Sequence, residues 1–321
     1  IMHSMPRTIT LSLSQLSGVF LVSLASLMTV GSISIFTFAQ NIASVPLSII
    51  GVSYSLAAFP TLSRHFSQNN LKDFFEQMSI TVRHIIFWSL PIIALFVVLR
   101  AQIVRVLLGT GNFDWADTRL TAASLAIFAL SVLSQSLVLL FIRAFYSAGH
   151  TRKPFLISIF STLFLILASY FSVKLFYSWP TFGLFVSSLL KVEDLSGTVV
   201  LMLPLGFSLG TILSSVIYWF AFEKVFGKFG RETYHTLFVS LSTAVFVGLG
   251  SYVGLNLFKN LFNLDTLLGI FGQGLSAGIL GSALGMIVLW LLRSVEFKEL
   301  WQALHQKLGK VEAVAENQEI V

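Results

Sequence analysis

The sequence contains no cysteine and few charged residues. Asp, Glu, Lys and Arg make up 11% of the 321 residues, whereas a soluble domain carries about 25%. The lack of cysteine excludes disulfides, thiolate metal sites and cysteine nucleophiles. Hydrophobic residues make up 55% of the chain and the mean hydropathy is +0.86. This composition predicts an integral membrane protein.

Acidic residues are absent from the middle of every long apolar segment. All 14 Asp and Glu residues fall in loops, at segment ends or in the C-terminal tail. A proton relay or a sodium site inside the membrane usually needs a carboxylate at that depth. The six histidines are scattered, without metal-ligand spacing, and no Ser-His-Asp or paired-carboxylate arrangement is evident. We therefore predict no enzymatic activity, no metal site and no cofactor.

Long apolar segments make up most of the sequence, and each is long enough to cross a bilayer as a helix. The fold class is therefore all-α, a polytopic membrane helix bundle with about eight transmembrane helices. With the N-terminus on the cytoplasmic side, 14 of the 20 Lys and Arg residues face the cytoplasm. The net charge of +6 thus reflects membrane orientation, and no nucleic-acid partner is predicted. The segments cover about 9–31, 33–59, 85–108, 120–146, 154–177, 199–222, 234–258 and 267–292.

Two further stretches have the apolar spacing of amphipathic helices. Residues 62–79, between the second and third segments, are interpreted as a helix that lies on the membrane surface. The tail 294–321 begins as an amphipathic helix and ends in a polar, acidic run.

The second segment contains the most informative polar residues. Gln40 and Asn41 are adjacent within it, Pro46 follows, and Gln15 lies in the first segment. An unpaired amide in hydrocarbon costs several kcal/mol, about 4–8 on an alkane scale. These side chains therefore either hydrogen-bond between helices or line a wet cavity that receives a polar headgroup. Both interpretations stay open, and Pro46 could be a kink or a hinge.

Basic and small residues suggest further roles. Arg143 ends the fourth segment, close to Arg152 and Lys153, and these residues either anchor the chain at the headgroups or hold a phosphate. Glycines at helical spacing in the last segments are interpreted as helix-packing positions, with room for a lipid chain between the last two spans as an alternative. These glycines are Gly206, Gly210, Gly274, Gly278, Gly281 and Gly285.

Four stretches resemble the MurJ (MviN) lipid II flippases of the multidrug/oligosaccharidyl-lipid/polysaccharide exporter superfamily. FAQNIASVPLSIIGVSYSLAAFPTLSR, at 38–64, is similar to the signature of that family's eighth span. PRTITLSLSQLSGVFLVSLAS, at 6–26, resembles the preceding span. GNFDWADT and RAFYSAGHTRKP, at 111–118 and 143–154, resemble the next landmarks. The resemblance covers roughly residues 6–160.

The resemblance implies that this chain is the second lobe of the exporter fold plus two C-terminal helices. Residues 1–228 would be a six-helix bundle, 229–293 the two additional helices, and 294–321 a cytoplasmic amphipathic tail. The implied function is flipping of lipid-linked peptidoglycan precursor across the bacterial cytoplasmic membrane by alternating access. The implied partners are a lipid-linked oligosaccharide, membrane lipid and a first lobe on the same or a separate chain. Both termini would be cytoplasmic.

Two positions depart from the family pattern. The family commonly has Asp-Arg where Gln40 and Asn41 follow Ala39, so the cavity arginine is absent here. Leu21 stands where a sodium-binding member has an acidic residue, so no sodium site is carried over. Two alternatives therefore stay open. One is a flippase or exporter for another lipid-linked saccharide or a drug, and the other is a non-transporting scaffold for cell-wall enzymes.

Overall fold

The computed structural model describes residues 5–109, 111, 113–299 and 302, with side chains from Gln15 onward. Among these residues the chain forms helices and turns and no strand. The α-helices are α1 Met5–Ser26, α2 Ser32–Pro46, α3 Ser53–Ser67, α4 Leu71–Val98, α5 Arg100–Leu108, α6 Trp115–Ser147, α7 Arg152–Ser178, α8 Pro180–Leu189, α9 Met202–Phe226, α10 Arg231–Phe258 and α11 Leu267–Leu291. A π-helical segment, Leu47–Val52, joins α2 to α3, and a 3₁₀ turn, Thr198–Leu201, precedes α9.

The helices match the predicted apolar segments. Seven helices of the described chain are long and apolar enough to cross a membrane, the first being the continuous run Ser32–Ser67. The remaining predicted segment, 9–31, corresponds to α1, which has 22 residues, of which Gln15–Ser26 have described side chains. The prediction of an all-α polytopic bundle is therefore confirmed.

Local sequence explains several helix boundaries. Gly31 has a φ of +91°, a left-handed conformation that glycine adopts without strain, and it ends the turn between α1 and α2. Asp114 accepts a hydrogen bond of 2.8 Å from the Asp117 backbone N–H at the start of α6. Thr266 accepts one of 3.1 Å from the Gly269 backbone at the start of α11. Each such cap typically stabilises its helix by about 1 kcal/mol.

The interpretation of residues 62–79 as a surface helix is wrong. The preceding helix continues through Pro60 to Ser67, and α4 begins at Leu71 after a short turn. Phe74 and Met78 are 0% exposed because α4 runs into the bundle without a break. The apolar stripe faces the protein core instead of the membrane surface.

Among the described residues, two large apolar clusters pack the first nine helices together, one near each end of the bundle. We call the end at which α1 begins the N-side and the opposite end the far side. Near the far side, Phe36 of α2 packs on Phe128 of α6 with ring centroids 5.4 Å apart. Near the N-side, Phe222 of α9 meets Phe141 and Phe226 at 5.5 and 4.8 Å. Such aromatic pairs add about 0.5–1.5 kcal/mol each beyond the burial of their surface.

The last two long helices lie together on one flank of this bundle. α10 packs along α4, and α11 packs along α10 and against α5. The predicted tail helix begins at 295–299, and residues 300, 301 and 303–321 of that prediction lie outside the described residues.

A buried ion cluster on the N-side joins α4, α10 and the segment after α11. The Thr236 hydroxyl donates to Glu296 at 2.6 Å, and the Ser294 hydroxyl donates to the same carboxylate at 2.9 Å. Arg83 of α4 lies 4.0 Å from Glu296 and 2.6 Å from Glu232. Burial acts to raise the pKa of Glu296, but these hydrogen bonds and the Arg83 charge together lower it below the ordinary glutamate value.

Replacing Glu296 with Gln is expected to lower thermal stability by the equivalent of about 1–3 kcal/mol near neutral pH, since Arg83 loses its buried partner. Because the folded-state pKa is lowered, the contribution of this carboxylate is present above the unfolded pKa of about 4.3. It is lost as the pH falls through the lower folded value. Unfolding of wild type and variant should be measured from pH 7 to pH 3.

Glu232→Gln serves as the control for this cluster. The Glu232 side chain is 81% exposed, so its loss should cost less than about 1 kcal/mol. Equal losses for the two variants, or a Glu296 effect that grows on acidification, would contradict the assignment.

Candidate functional site

One exposed side of α2 carries a continuous polar stripe. Asn41 is exposed at its centre, and hydroxyl side chains precede and follow it at helical spacing of three or four residues. A lipid-facing helix surface would carry apolar side chains instead. The stripe consists of Ser34, Thr37, Asn41, Ser44 and Ser48.

The Asn41 amide on this stripe and the Gln40 amide beside it are available to an external partner. The Thr37 hydroxyl donates to the Ile33 carbonyl at 2.7 Å, and Ser44 donates to the Asn41 carbonyl at 2.6 Å. Gln40 is half-buried beside the stripe, and neither amide side chain has a hydrogen-bond partner among the described residues. Gln15 is likewise exposed, on α1.

An apolar stripe adjoins the polar one on the same helix. Phe38, Val45 and Ile49 are 37%, 51% and 64% exposed and follow helical spacing. The exposed arc of α2 is thus half polar and half apolar. That pattern is typical of a helix bordering a wet space on one side and lipid or another helix on the other.

The helix is irregular where the polar stripe ends, because Ser48 already belongs to the π-helical segment. Pro46 is buried, and the chain continues as a π-helix to Val52. Proline lacks a backbone N–H, so it cannot complete an α-helical hydrogen bond at this point. Within the π-segment, a Cβ added at Gly51 would lie 2.6 Å from Ser136 Oγ, so glycine permits close approach to α6. Short π-helical segments are rare and often mark functional sites.

A second feature is an apolar groove between α11 and the α4–α5 region. Its volume is about 640 Å³. Leu99 and Ile103 form one wall, and Phe271, Leu275 and Ile279 contribute to the other. None of its lining residues belongs to α10, so this groove does not lie between the last two spans, where the sequence left room for a lipid chain.

Two amides lie beside this groove. Gln102 Nε2 is 3.4 Å from Gln273 Oε1, and Gln273 donates to the Leu255 carbonyl at 3.0 Å. The buried oxygen of Gln102 has no hydrogen-bond partner. Sequence reasoning missed this pair, although amides within apolar segments were the signal that identified Gln40 and Asn41.

The glycines serve two kinds of surface, close contacts between helices and the wall of the apolar groove. Gly281 and Gly285 lie against Ser251 and Val247 of α10, where an added Cβ would overlap. Gly206 and Gly210 lie in the same way against Ser169 and Leu165 of α7. Gly274 and Gly278 instead line the apolar groove. A Cβ added at Gly274 would lie 3.1 Å from the Gln102 side chain, and one added at Gly278 would lie 3.3 Å from the Leu99 side chain.

The three basic residues predicted to act together differ in exposure. Arg152 and Lys153 are exposed at the first turn of α7. Arg143 is half-buried and lines a cavity of the bundle, and Arg152 and Lys153 are not among the lining residues of that cavity.

The geometry defines a polytopic all-α membrane protein in which a helical run of membrane-spanning length, Ser32–Ser67, carries an exposed polar stripe. A family model described as "Lipid II flippase MurJ" matches residues 1–273. The chain belongs to this lipid II flippase family.

Individual relatives agree with this assignment. The chain is 32% identical over 203 residues to a probable lipid II flippase MurJ of Bdellovibrio bacteriovorus, covering 62% of this chain and 37% of that protein. It is 31% identical over 160 residues to the corresponding protein of Buchnera aphidicola, covering 50% and 31%. The matched region spans about a third of the length of these curated relatives.

A solved structure has the same fold. It is titled "Lipid II flippase MurJ, inward closed conformation" and superposes with a TM-score of 0.63 at 18% identity. The superposition covers 92% of this chain and 54% of the solved chain. At this identity the likeness concerns the fold.

Replacing Gly281 with Ala is expected to destabilise the packing of α10 on α11. The new methyl group would meet the Val247 carbonyl at 2.6 Å and the Ser251 backbone nitrogen at 2.9 Å, and a helix backbone cannot yield locally. Overpacking of this kind costs about 1–3 kcal/mol. Thermal unfolding in detergent should show the loss.

Gly18→Ala is the matched control for Gly281→Ala, because nothing lies within 4 Å of a Cβ added at Gly18. Its stability should stay the same or rise slightly, since alanine favours the helix. Similar melting temperatures for both variants would rule out the close-packing account.

Proposed function

We propose that this chain is the second lobe, with two additional helices, of a flippase that moves lipid-linked peptidoglycan precursor between membrane leaflets by alternating access. The observation that carries the proposal is the exposed polar stripe of α2, centred on Asn41, in a chain of the lipid II flippase family. An amide exposed at membrane depth is costly unless it meets water or a polar ligand. The stripe is therefore the wall of a wet cavity.

In this mechanism the α2 face is an uncharged polar surface that recognises the polar headgroup. Gln40 and Asn41 can each donate and accept hydrogen bonds, which suits sugar hydroxyls and peptide groups. No Lys or Arg lies on the stripe of α2. Neutralisation of the pyrophosphate therefore falls to the first lobe, which is the expected partner.

The apolar groove between α11 and α4–α5 suits the isoprenoid tail. Lipid chains are as apolar as the groove, so little hydrophobic free energy separates the tail in the groove from the tail in the bilayer. The groove therefore positions the tail and does not bind it tightly. This permits release after the headgroup has crossed.

The irregular segment around Pro46 is the proposed hinge. The missing backbone hydrogen bond and the π-helical turns to Val52 make the middle of this span easier to bend than an unbroken helix. Bending there would tilt the polar stripe relative to α3, which changes the opening of the cavity. Lobe rocking around a fixed site is the general form of alternating access.

The domain organisation follows the same proposal. Residues 1–228 form the six-helix lobe, 229–293 the two added helices, and 294–321 a cytoplasmic tail. The location is the bacterial cytoplasmic membrane, with both termini in the cytoplasm. A first lobe, on the same or a separate chain, completes the transporter.

The functional test replaces both amides with leucine. Gln40→Leu/Asn41→Leu should reduce lipid II flipping by about tenfold or more, because two hydrogen-bonding groups of about 1 kcal/mol each are lost. Val45→Leu, on the adjoining apolar stripe, is the control and should keep activity. Flipping is measured with full-length protein in vesicles, alongside rescue of cells depleted of their flippase.

Failure of the wild-type protein to flip lipid II or rescue the cells would overturn the assignment of substrate. Flipping of a different lipid-linked saccharide by the same preparation would support the second candidate. That candidate is favoured by the amides that replace the family's Asp-Arg pair after Ala39.

The proposed topology can be tested because this chain has no cysteine. Lys228→Cys lies in the N-side turn after α9, and Lys259→Cys follows α10 on the far side. In a full-length protein with no other cysteine, a membrane-impermeant maleimide should label Lys259→Cys in intact cells and Lys228→Cys only after permeabilisation. The opposite labelling would invert the orientation.

A further inference from the structure

A cavity of about 440 Å³ lies inside the N-side half of the lobe. It is bordered by α6, α7 and α9, with contributions from Ser17 of α1 and Leu47 of the π-segment. The cavity far exceeds the roughly 10–15 Å³ that a single water needs. It is separate from both the α2 polar stripe and the α11 groove, which share no lining residue with it.

The charge of the described lining is positive. Arg143 is the charged residue among the described lining residues, which include no Asp or Glu. Its Nη1 nitrogen is shielded from bulk solvent, so its field is weakly screened. Such a lining repels cations and attracts an anion.

A buried hydroxyl of the same cavity has no hydrogen-bond partner among the described residues. Ser161 of α7 is 7% exposed and lines the cavity, and its Oγ atom has no hydrogen bond in the protein. Leaving such a group unpaired costs about 1–3 kcal/mol. An occupant of the cavity that accepts a hydrogen bond would remove this cost.

Two other hydroxyls of the lining, those of Tyr218 and Thr211, already donate to backbone carbonyls. The Tyr218 hydroxyl donates to the Pro154 carbonyl at 2.9 Å and lies 2.9 Å from Ser158 Oγ. Thr211 donates to the Phe207 carbonyl at 3.1 Å. The Ser161 hydroxyl therefore complements the Arg143 guanidinium as a donor for an external acceptor.

We propose that this cavity binds the phosphate group of an anionic ligand, held by Arg143 and Ser161. The planar fork of an arginine matches the oxygens of a phosphate, and a hydroxyl supplies a further donor. The apolar side chains of Ile142, Leu165 and Phe207 leave a wall against which an ester chain can lie. The ligand is inorganic phosphate or the phosphate of a membrane lipid, and the site does not require the first lobe.

The test uses the full-length protein and two probes. In detergent, the melting temperature is titrated with inorganic phosphate against chloride at equal ionic strength. In nanodiscs, phosphatidylcholine is compared with phosphatidylcholine containing phosphatidic acid, and retained lipid is identified by native mass spectrometry. Stabilisation by phosphate alone identifies the inorganic ion, and retention of phosphatidic acid identifies a lipid source.

The variants assign the response to the cavity. Arg143→Gln should weaken the response by about tenfold or more, and Ser161→Ala by about threefold, as expected for a charged and a neutral hydrogen bond. Arg152→Gln/Lys153→Gln removes two exposed charges on the same side of the lobe and should leave the response unchanged.

Two results would overturn the proposal. One is a wild-type protein that responds to neither probe. The other is an Arg143→Gln variant that responds as the wild type does. If Arg143→Gln does not fold, Ser161→Ala decides, since the loss of one small hydroxyl leaves the packing intact, and a response equal to that of wild type refutes the site.

Discussion

The structure depends on one constraint, the absence of water at membrane depth. Each polar group there must find a partner within the protein or face a wet space. Most hydroxyls find a partner in their own helix. Ser136 donates to the Val132 carbonyl at 2.7 Å, and Ser169 donates to the Leu165 carbonyl at 2.9 Å. Exceptions include several buried hydroxyls that have no hydrogen-bond partner among the described residues. Asn41 is an exposed exception, and the proposed function places it at the wall of a wet cavity.

Close packing and open space are produced by the same residue type on α11. Gly281 and Gly285 bring this helix against α10, and one or two turns earlier Gly274 and Gly278 border the apolar groove. The difference comes from the neighbouring helix. α10 runs along the whole contact, whereas α5 has only nine residues and meets α11 near one end. A glycine stripe alone therefore predicts proximity without saying whether the space beside it is filled.

The helical segments and the amide pair could be predicted from the sequence, but the environment of several stripes could not. The apolar spacing that includes Phe74 and Met78 is the same for a helix on a membrane surface and for one entering a core. Burial of both side chains decided between them. Arg143 was ambiguous for the same reason, because a long side chain at a helix end can turn outward to headgroups or inward to a cavity.

The sequence by itself determined the membrane class, the number of long helices, and the stretch in which polar residues interrupt an apolar span. These properties can be read along the chain, from its composition and from the lengths of its apolar segments. The thickness of the bilayer sets the length that a spanning helix must have. Only the tertiary structure decided which residues meet, such as Arg83 with Glu296 and Gln102 with Gln273. Those contacts join positions far apart in the chain, because they depend on which helix faces which neighbour.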